Sequence, residues 1–228
     1  MDFRDVDGLF EDRAHAGRQL GIQLQRYRAD NPLIMALPRG GVAVGFEVAS
    51  VLDAELDVLV ARKLGAPRQP ELGIGAIAPF GVRVLDSECV RWLGITLEMI
   101  DRIAARETLE MERRQKEYRG DKPFPKVADR TVILVDDGIA TGVTVRAAVM
   151  CLRKLNVKRL ILGAPVCAPD TAQTMRRLVD EAVFLYEPPV FYAVGMWYRN
   201  FDQLSDQEVE VLLGRNRRIH TRNKETNV

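Results

Sequence analysis

Short apolar runs alternating with amphipathic helical patterns predict an α/β fold, a parallel sheet with helices on both faces. Two observations carry that expectation. The runs at 33–37, 160–164 and 182–185 hold no polar side chain, and those at 56–61 and 131–135 hold one each, Asp57 and Thr131. That is the pattern of strands covered on both sides, whereas a half-exposed strand alternates. Between most of these runs lie segments with apolar residues spaced three and four apart, so strand and helix follow one another as a parallel sheet requires.

The elements are read in chain order. Phe10, Ala14, Gly17, Leu20, Leu24 and Tyr27 fall on one face of a helix over 9–27, which Asn31-Pro32 breaks. The strand at 33–37 ends in Pro38-Arg39-Gly40-Gly41, and Val42, Phe46, Ala49 and Leu52 align on the helix that follows. The strand at 56–61 stops at Arg62-Lys63-Leu64-Gly65. Residues 64–72 contain Pro67 and Pro70 among polar neighbours and read as an exposed, mobile loop. Two short strands flank the Pro79-Phe80-Gly81 turn, and a long charged helix covers 96–118. After the strand at 131–135 come a helix over 143–155, the strand at 160–164, a helix over 170–179 and the strand at 182–185. The strand–helix alternation spans 31–187. Residues 1–30 and 188–213 fall outside it and are expected to pack together as a small cap. Residues 214–228, rich in Arg and Lys, read as a disordered basic tail.

Composition narrows the function classes. The chain has 228 residues, is 47% hydrophobic and carries a formal net charge of +1. It can bury a core, and it lacks the cationic excess of a protein that neutralises nucleic acid. No apolar run approaches the roughly 18 residues of a membrane span. The acidic start, Met1-Asp2-Phe3-Arg4-Asp5, is unlike a secretory leader, so a cytoplasmic location is expected. Three well-separated cysteines suggest neither a disulfide framework nor a CxxC metal site. There is no GxSxG, HExxH or GxxxxGK[ST]. Gly73-Ile74-Gly75-Ala76-Ile77-Ala78 fits GxGxxA formally, but Pro79-Phe80-Gly81 follows where a dinucleotide site needs a helix.

The most informative segment is Val132-Ile133-Leu134-Val135-Asp136-Asp137-Gly138-Ile139-Ala140-Thr141-Gly142-Val143-Thr144. An apolar strand ends in two carboxylates, and a small Gly/Thr turn then opens a helix. Ligands of open α/β sheets bind at the carboxyl ends of strands. The glycines let the backbone curl closely around a ligand, and a helix start offers free N–H groups to a phosphate. Two acids beside a phosphate cradle make chemical sense if they face sugar hydroxyls or a magnesium ion. A helix cap alone needs one acid, not this array.

Residues 132–144 resemble the phosphoribosyl-pyrophosphate (PRPP) motif of the type I phosphoribosyltransferases. Leu37-Pro38-Arg39-Gly40-Gly41 resembles that family's pyrophosphate loop, and Arg62-Lys63-x-Gly65 the Arg-Lys pair after the second strand of its adenine-type members. The similarity extends over about residues 10–205 and is narrowest to a bacterial branch of predicted phosphoribosyltransferases. It implies a type I phosphoribosyltransferase-like parallel-sheet core with a hood built from the two chain ends. It also implies magnesium-dependent transfer of 5-phosphoribose from PRPP to a nucleobase-like nitrogen acceptor, with release of pyrophosphate. In that reading Asp136 and Asp137 hold the ribose hydroxyls and magnesium. Gly138, Ile139, Ala140, Thr141, Gly142 and Thr144 cradle the 5′-phosphate. Arg39, Gly40, Gly41, Arg62 and Lys63 face pyrophosphate, with an unusual peptide at Pro38–Arg39 or Arg39–Gly40. Displacement at C1 passes through an oxocarbenium-like state, so Arg62, Lys63 and Arg39 would stabilise the leaving group electrostatically. Loop 64–72 would close over the site as a lid and bring Glu71 to the acceptor's proton.

One position departs from the 6-oxopurine members, which carry a carboxylate two residues before the glycine of Thr-Gly. Here it is Ala140, so hypoxanthine and guanine are expected to be poor acceptors. Trp197 and Tyr198, in an aromatic run that includes Tyr192 and Phe201, are candidates to stack on a flat acceptor. Two other functions use the same residues: a non-catalytic protein of this fold that senses PRPP or a nucleotide, and a hydrolase that uses the pocket on water. Expected partners are PRPP and a small nitrogen acceptor, with neither nucleic acid nor membrane among them. A homodimer is compatible with the reading.

Overall fold

The structure is a computed structural model that describes residues 9–226. Five strands form a parallel sheet in the order β2-β1-β6-β7-β8: β1 (Leu33–Ala36), β2 (Glu55–Val58), β6 (Thr131–Val135), β7 (Arg159–Val166) and β8 (Glu181–Tyr186). Both faces of the central strands β1, β6 and β7 are covered, which is why their runs do not alternate, whereas the edge strand β2 alternates, Glu55-Leu56-Asp57-Val58, with Leu56 and Val58 buried. Ile34, Ala36, Ile133, Val135 and Ile161 pack on one side with α1 (Arg13–Leu24) and α2 (Gly40–Leu52). Leu33, Met35, Val132, Leu134, Leu160 and Leu162 pack on the other with α5 (Val143–Lys154) and α6 (Pro169–Arg176).

The strand order places the site. From β1 the chain passes through α2 to β2 on one flank; from β6 it passes through α5 to β7 on the other. The order therefore reverses between β1 and β6, and the crevice outside their carboxyl ends is where open α/β sheets bind ligands. The registers align these ends: Ala36 lies level with Val58 and Val135, and Val135 with Gly163.

A second sheet, antiparallel in the order β3-β4-β5, is made by β3 (Arg62–Ala66), β4 (Gln69–Ala78) and β5 (Val82–Leu85). This corrects the loop expected at 64–72. Leu64 pairs with Gly75, Gly65 with Gly73 and Ala66 with Gln69, across a register shift at Gly65. Pro67 marks the turn of a hairpin and Pro70 lies in β4 just after it, and ladder pairing supplies the order that local composition does not. The sheet packs against α5 and the long helix α4 (Leu97–Arg119), and the short α3 (Ser87–Trp92) lies between β5 and α4.

The tail is a further correction. Of the residues expected to be disordered, 214–226 belong to α7, Asp206–Thr226, and 227–228 lie outside the described residues; residues 206–213 begin that helix rather than joining the cap. Val209 and Leu213 are buried in the same core as α2. Asn216 is also buried: its Oδ1 accepts from Leu56 N–H at 2.9 Å and its Nδ2 donates to the Ala54 carbonyl at 3.1 Å. The helix thereby covers the open edge of β2. Its basic side chains have uses: Arg215 lies over the Phe46 ring and Arg217 donates to the Tyr118 carbonyl. No described helix is long and apolar enough to cross a membrane.

Candidate functional site

Two loops and two helix starts meet at the switch point. The first loop leaves β1 through a cis peptide between Pro38 and Arg39 and enters α2 at Gly40. It is tied to the sheet by Leu37 N–H, which donates to the Val135 carbonyl at 2.9 Å. The second leaves β6 at Asp136, whose N–H donates to Gly163, and is held at mid-loop by Ile139 N–H on the Val166 carbonyl and by Ala168 N–H on the Ile139 carbonyl. It ends at Gly142, whose left-handed φ of 68° turns the chain into α5. Thr171 Oγ1 donates to the Ala140 carbonyl and braces the turn. Neither α2 nor α5 has a side-chain cap. Their first N–H groups and positive dipole ends are therefore available to an anion. Ala140 and Thr141 are exposed, and Thr144 is half-buried in the first turn of α5.

The two acids differ. Asp136 Oδ1 accepts from the N–H of Asp137 at 2.9 Å. Burial, with the Asp137 carboxylate beside it, raises Asp136 well above the ordinary aspartate range. Asp137 Oδ2 receives Arg13 Nε at 2.7 Å, both side chains being nearly buried (12% and 15% exposed). The same oxygen occupies the space above Gly40, where a Cβ would come within 1.9 Å of it. Only glycine lets the pyrophosphate-type loop approach this closely. Tyr198 donates its hydroxyl to the Asp137 carbonyl, and burial pushes that phenol upward.

The cap is built on these contacts. Phe10 pairs with Tyr198, and Phe10, Ala16, Val166, Trp197 and Tyr198 form a small core of their own. Val194 lies over Gly138 with no room for a Cβ between them. Trp197 and Tyr198 are 6% and 5% exposed, which corrects their assignment as acceptor-stacking rings: they pack the cap and brace the acid loop. Tyr192, in the same run, is 67% exposed.

The Arg62-Lys63 pair does not converge on one ligand. Arg62 turns to α4, where Nη2 and Nε bond Glu107 Oε2 at 2.7 and 3.1 Å. Lys63 Nζ donates to the Glu71 carbonyl at 2.9 Å and lies 3.6 Å from its carboxylate. Glu71 stands exposed on β4, a strand rather than a lid. Arg39 is half-buried beside Gly40 and makes no ion pair among the described residues. Arg13, which the sequence reading did not select, reaches the acids from 124 positions away. Its only local signal is an arginine at the start of an amphipathic helix.

The acids fit part of a magnesium sphere. No group of three His, Cys, Asp or Glu gathers among the described residues. Magnesium is commonly held by one or two carboxylates, with the remaining positions filled by water and substrate oxygens, and Asp136 and Asp137 supply such a pair.

The model of the phosphoribosyl transferase domain matches residues 11–185. The chain is 42% identical over 207 residues to "Putative phosphoribosyl transferase MT0597" of Mycobacterium tuberculosis (strain CDC 1551 / Oshkosh), an alignment covering 91% of this chain and 47% of that protein. A relative from strain ATCC 25618 / H37Rv matches to the same extent. The chain therefore spans about half the length of these relatives. Among solved structures, TT1426 from Thermus thermophilus superposes with a TM-score of 0.76 at 37% identity, over 90% of this chain and 97% of that one.

Proposed function

Because the chain belongs to the phosphoribosyl transferase family, we propose that the switch-point crevice binds PRPP and transfers its 5-phosphoribosyl group to a nitrogen acceptor of nucleobase type. The observation that carries the reading is the convergence of an acid pair with two uncapped helix N-termini at one strand-order reversal. The start of α5, with residues 138–144, is shaped for a terminal phosphate. The start of α2, with Arg39, Gly40 and Gly41, is shaped for the pyrophosphate. Asp136 and Asp137 lie between the two, where the ribose hydroxyls would fall and where they would also face magnesium. When bound, that ion would offset the negative charge that builds on the departing pyrophosphate.

In the transfer, the C1–O bond to pyrophosphate breaks, a C1–N bond forms, and the acceptor nitrogen gives up its proton. The chain's task is to orient the donor, stabilise the leaving group and keep water out. Arg39 takes the leaving-group role first, because Arg62 is committed to Glu107. Lys63 would join it, and we assign the acceptor's proton to Glu71. With Ala140 where a base-contacting acid would stand, 6-oxopurines are poor acceptors in this reading.

The test is titration calorimetry with PRPP in magnesium. The unaltered chain should bind, and the double variant Asp136→Asn/Asp137→Asn should lose binding while its circular dichroism spectrum is unchanged. Undiminished affinity in the double variant would remove the acids from the donor site.

A further inference from the structure

Arg13 belongs to α1, outside the parallel sheet, yet its guanidinium lies inside the acid loop. Three groups fix it: Asp137 Oδ2 at 2.7 Å from Nε, the Asp202 carbonyl at 2.7 Å from Nη1, and the Phe201 ring with its centroid 3.9 Å from the guanidinium carbon. A Cβ placed on Gly40 would meet both Asp137 Oδ2, at 1.9 Å, and Arg13 Nε, at 2.9 Å. Cap, acid and pyrophosphate-type loop therefore meet at one point. Asp137 is held at two atoms by the cap: its carboxylate by Arg13 and its carbonyl by Tyr198.

We propose that Arg13 is a positioning residue for the donor, holding the Asp137 carboxylate in the one orientation in which its other oxygen can receive a ribose hydroxyl. The inference rests on the donor-site reading. The physical case is preorganisation. A carboxylate free to rotate would have to be ordered when the donor arrives, at a cost in affinity. Arg13 places it beforehand through a charge-assisted bond, the strong kind. The planar fork matters as well as the charge, because a single group must satisfy Asp137 and Asp202 at once while stacking on Phe201. A lysine ammonium has the charge but lacks that fork.

Titration of Arg13→Ala and Arg13→Lys with PRPP and magnesium tests this, beside the unaltered chain. Arg13→Ala should bind PRPP about 10–100-fold more weakly, the usual effect of losing one hydrogen bond to a charged group. Arg13→Lys should recover only part of that loss. Millimolar ethylguanidinium should restore affinity to Arg13→Ala without changing the unaltered chain, a rescue that a purely structural arginine would not show. Affinity in Arg13→Ala within twofold of the unaltered chain would overturn the inference. So would weakened binding that guanidinium leaves untouched. If Arg13→Ala does not fold, Arg13→Lys decides: affinity equal to the unaltered chain refutes the fork. Failure of the unaltered chain to bind PRPP is a distinct outcome, which overturns the donor-site reading and this inference with it.

Discussion

At the scale of single residues, burial separates groups that the sequence presents alike. Asp136 and Asp137 are adjacent and identical in type, yet one has a raised proton affinity and the other is paired to a guanidinium 124 positions away. The acid pair and its glycines were legible because a strand end, two carboxylates and a tight turn are contiguous. Arg13 was not, because its partners become neighbours only through packing. The three cysteines divide in the same way. Cys151 and Cys167 are buried, and burial pushes both thiols up to about 12; Cys89 is half-exposed. The thiolate is the reactive form, and a raised value means that almost none is present at neutral pH. Iodoacetamide at pH 8 should therefore alkylate Cys89 in the native protein, while Cys151 and Cys167 react only after denaturation. Mass spectrometry of the peptides reads the result, and rapid native labelling of Cys167 would contradict its burial where it bridges to Ile139.

At the scale of elements, the central parallel strands β1, β6 and β7 were readable because both their faces are buried, so that hydrophobicity alone marks them. The β3–β4 hairpin was hidden. Pro67 and Pro70 signal a turn, and the glycines at 65, 73 and 75 weaken strand propensity; the order comes from pairing and from packing on α4 and α5. The helix α7 was hidden for a different reason. The basic residues of 215–224 outweigh the Val209, Leu212, Leu213 spacing when the sequence is read by composition. Tertiary contacts reverse that weighting, and Asn216 shows how. An edge strand exposes unpaired N–H and C=O groups, and the Asn216 amide bonds the N–H of Leu56 and the carbonyl of Ala54 as a neighbouring strand would. Asn216→Ala leaves both buried groups unpaired and should destabilise the protein by about 2–3 kcal/mol, the usual cost of orphaned buried polar groups. Urea unfolding measures it. A loss under about 0.5 kcal/mol, the range of ordinary surface substitutions, would show that the Asn216 bonds do not hold α7 to the edge of β2.

At the scale of the whole molecule, the crevice belongs to no single part. The sheet supplies the acid loop, α2 and α5 supply uncapped helix N-termini, and the cap grips Asp137 through Arg13 and Tyr198. A ligand that engages all of these binds the native state and cannot bind an unfolded chain. It must therefore stabilise the fold by linkage, about 2.7 kcal/mol at a hundred times its Kd. For a protein of this size each kcal/mol moves the midpoint by about 2–4 °C, so saturating PRPP with magnesium should raise Tm by about 5–10 °C. In the proposed reading pyrophosphate alone would reach only the α2 side, and ribose 5-phosphate only the acids and the α5 side. At equal concentrations each should give a smaller shift than PRPP. Differential scanning calorimetry separates the cases. Equal shifts from PRPP and pyrophosphate would mean that the acids and the α5 turn add nothing to binding. The crevice would then be a pyrophosphate site rather than the donor site of a transferase.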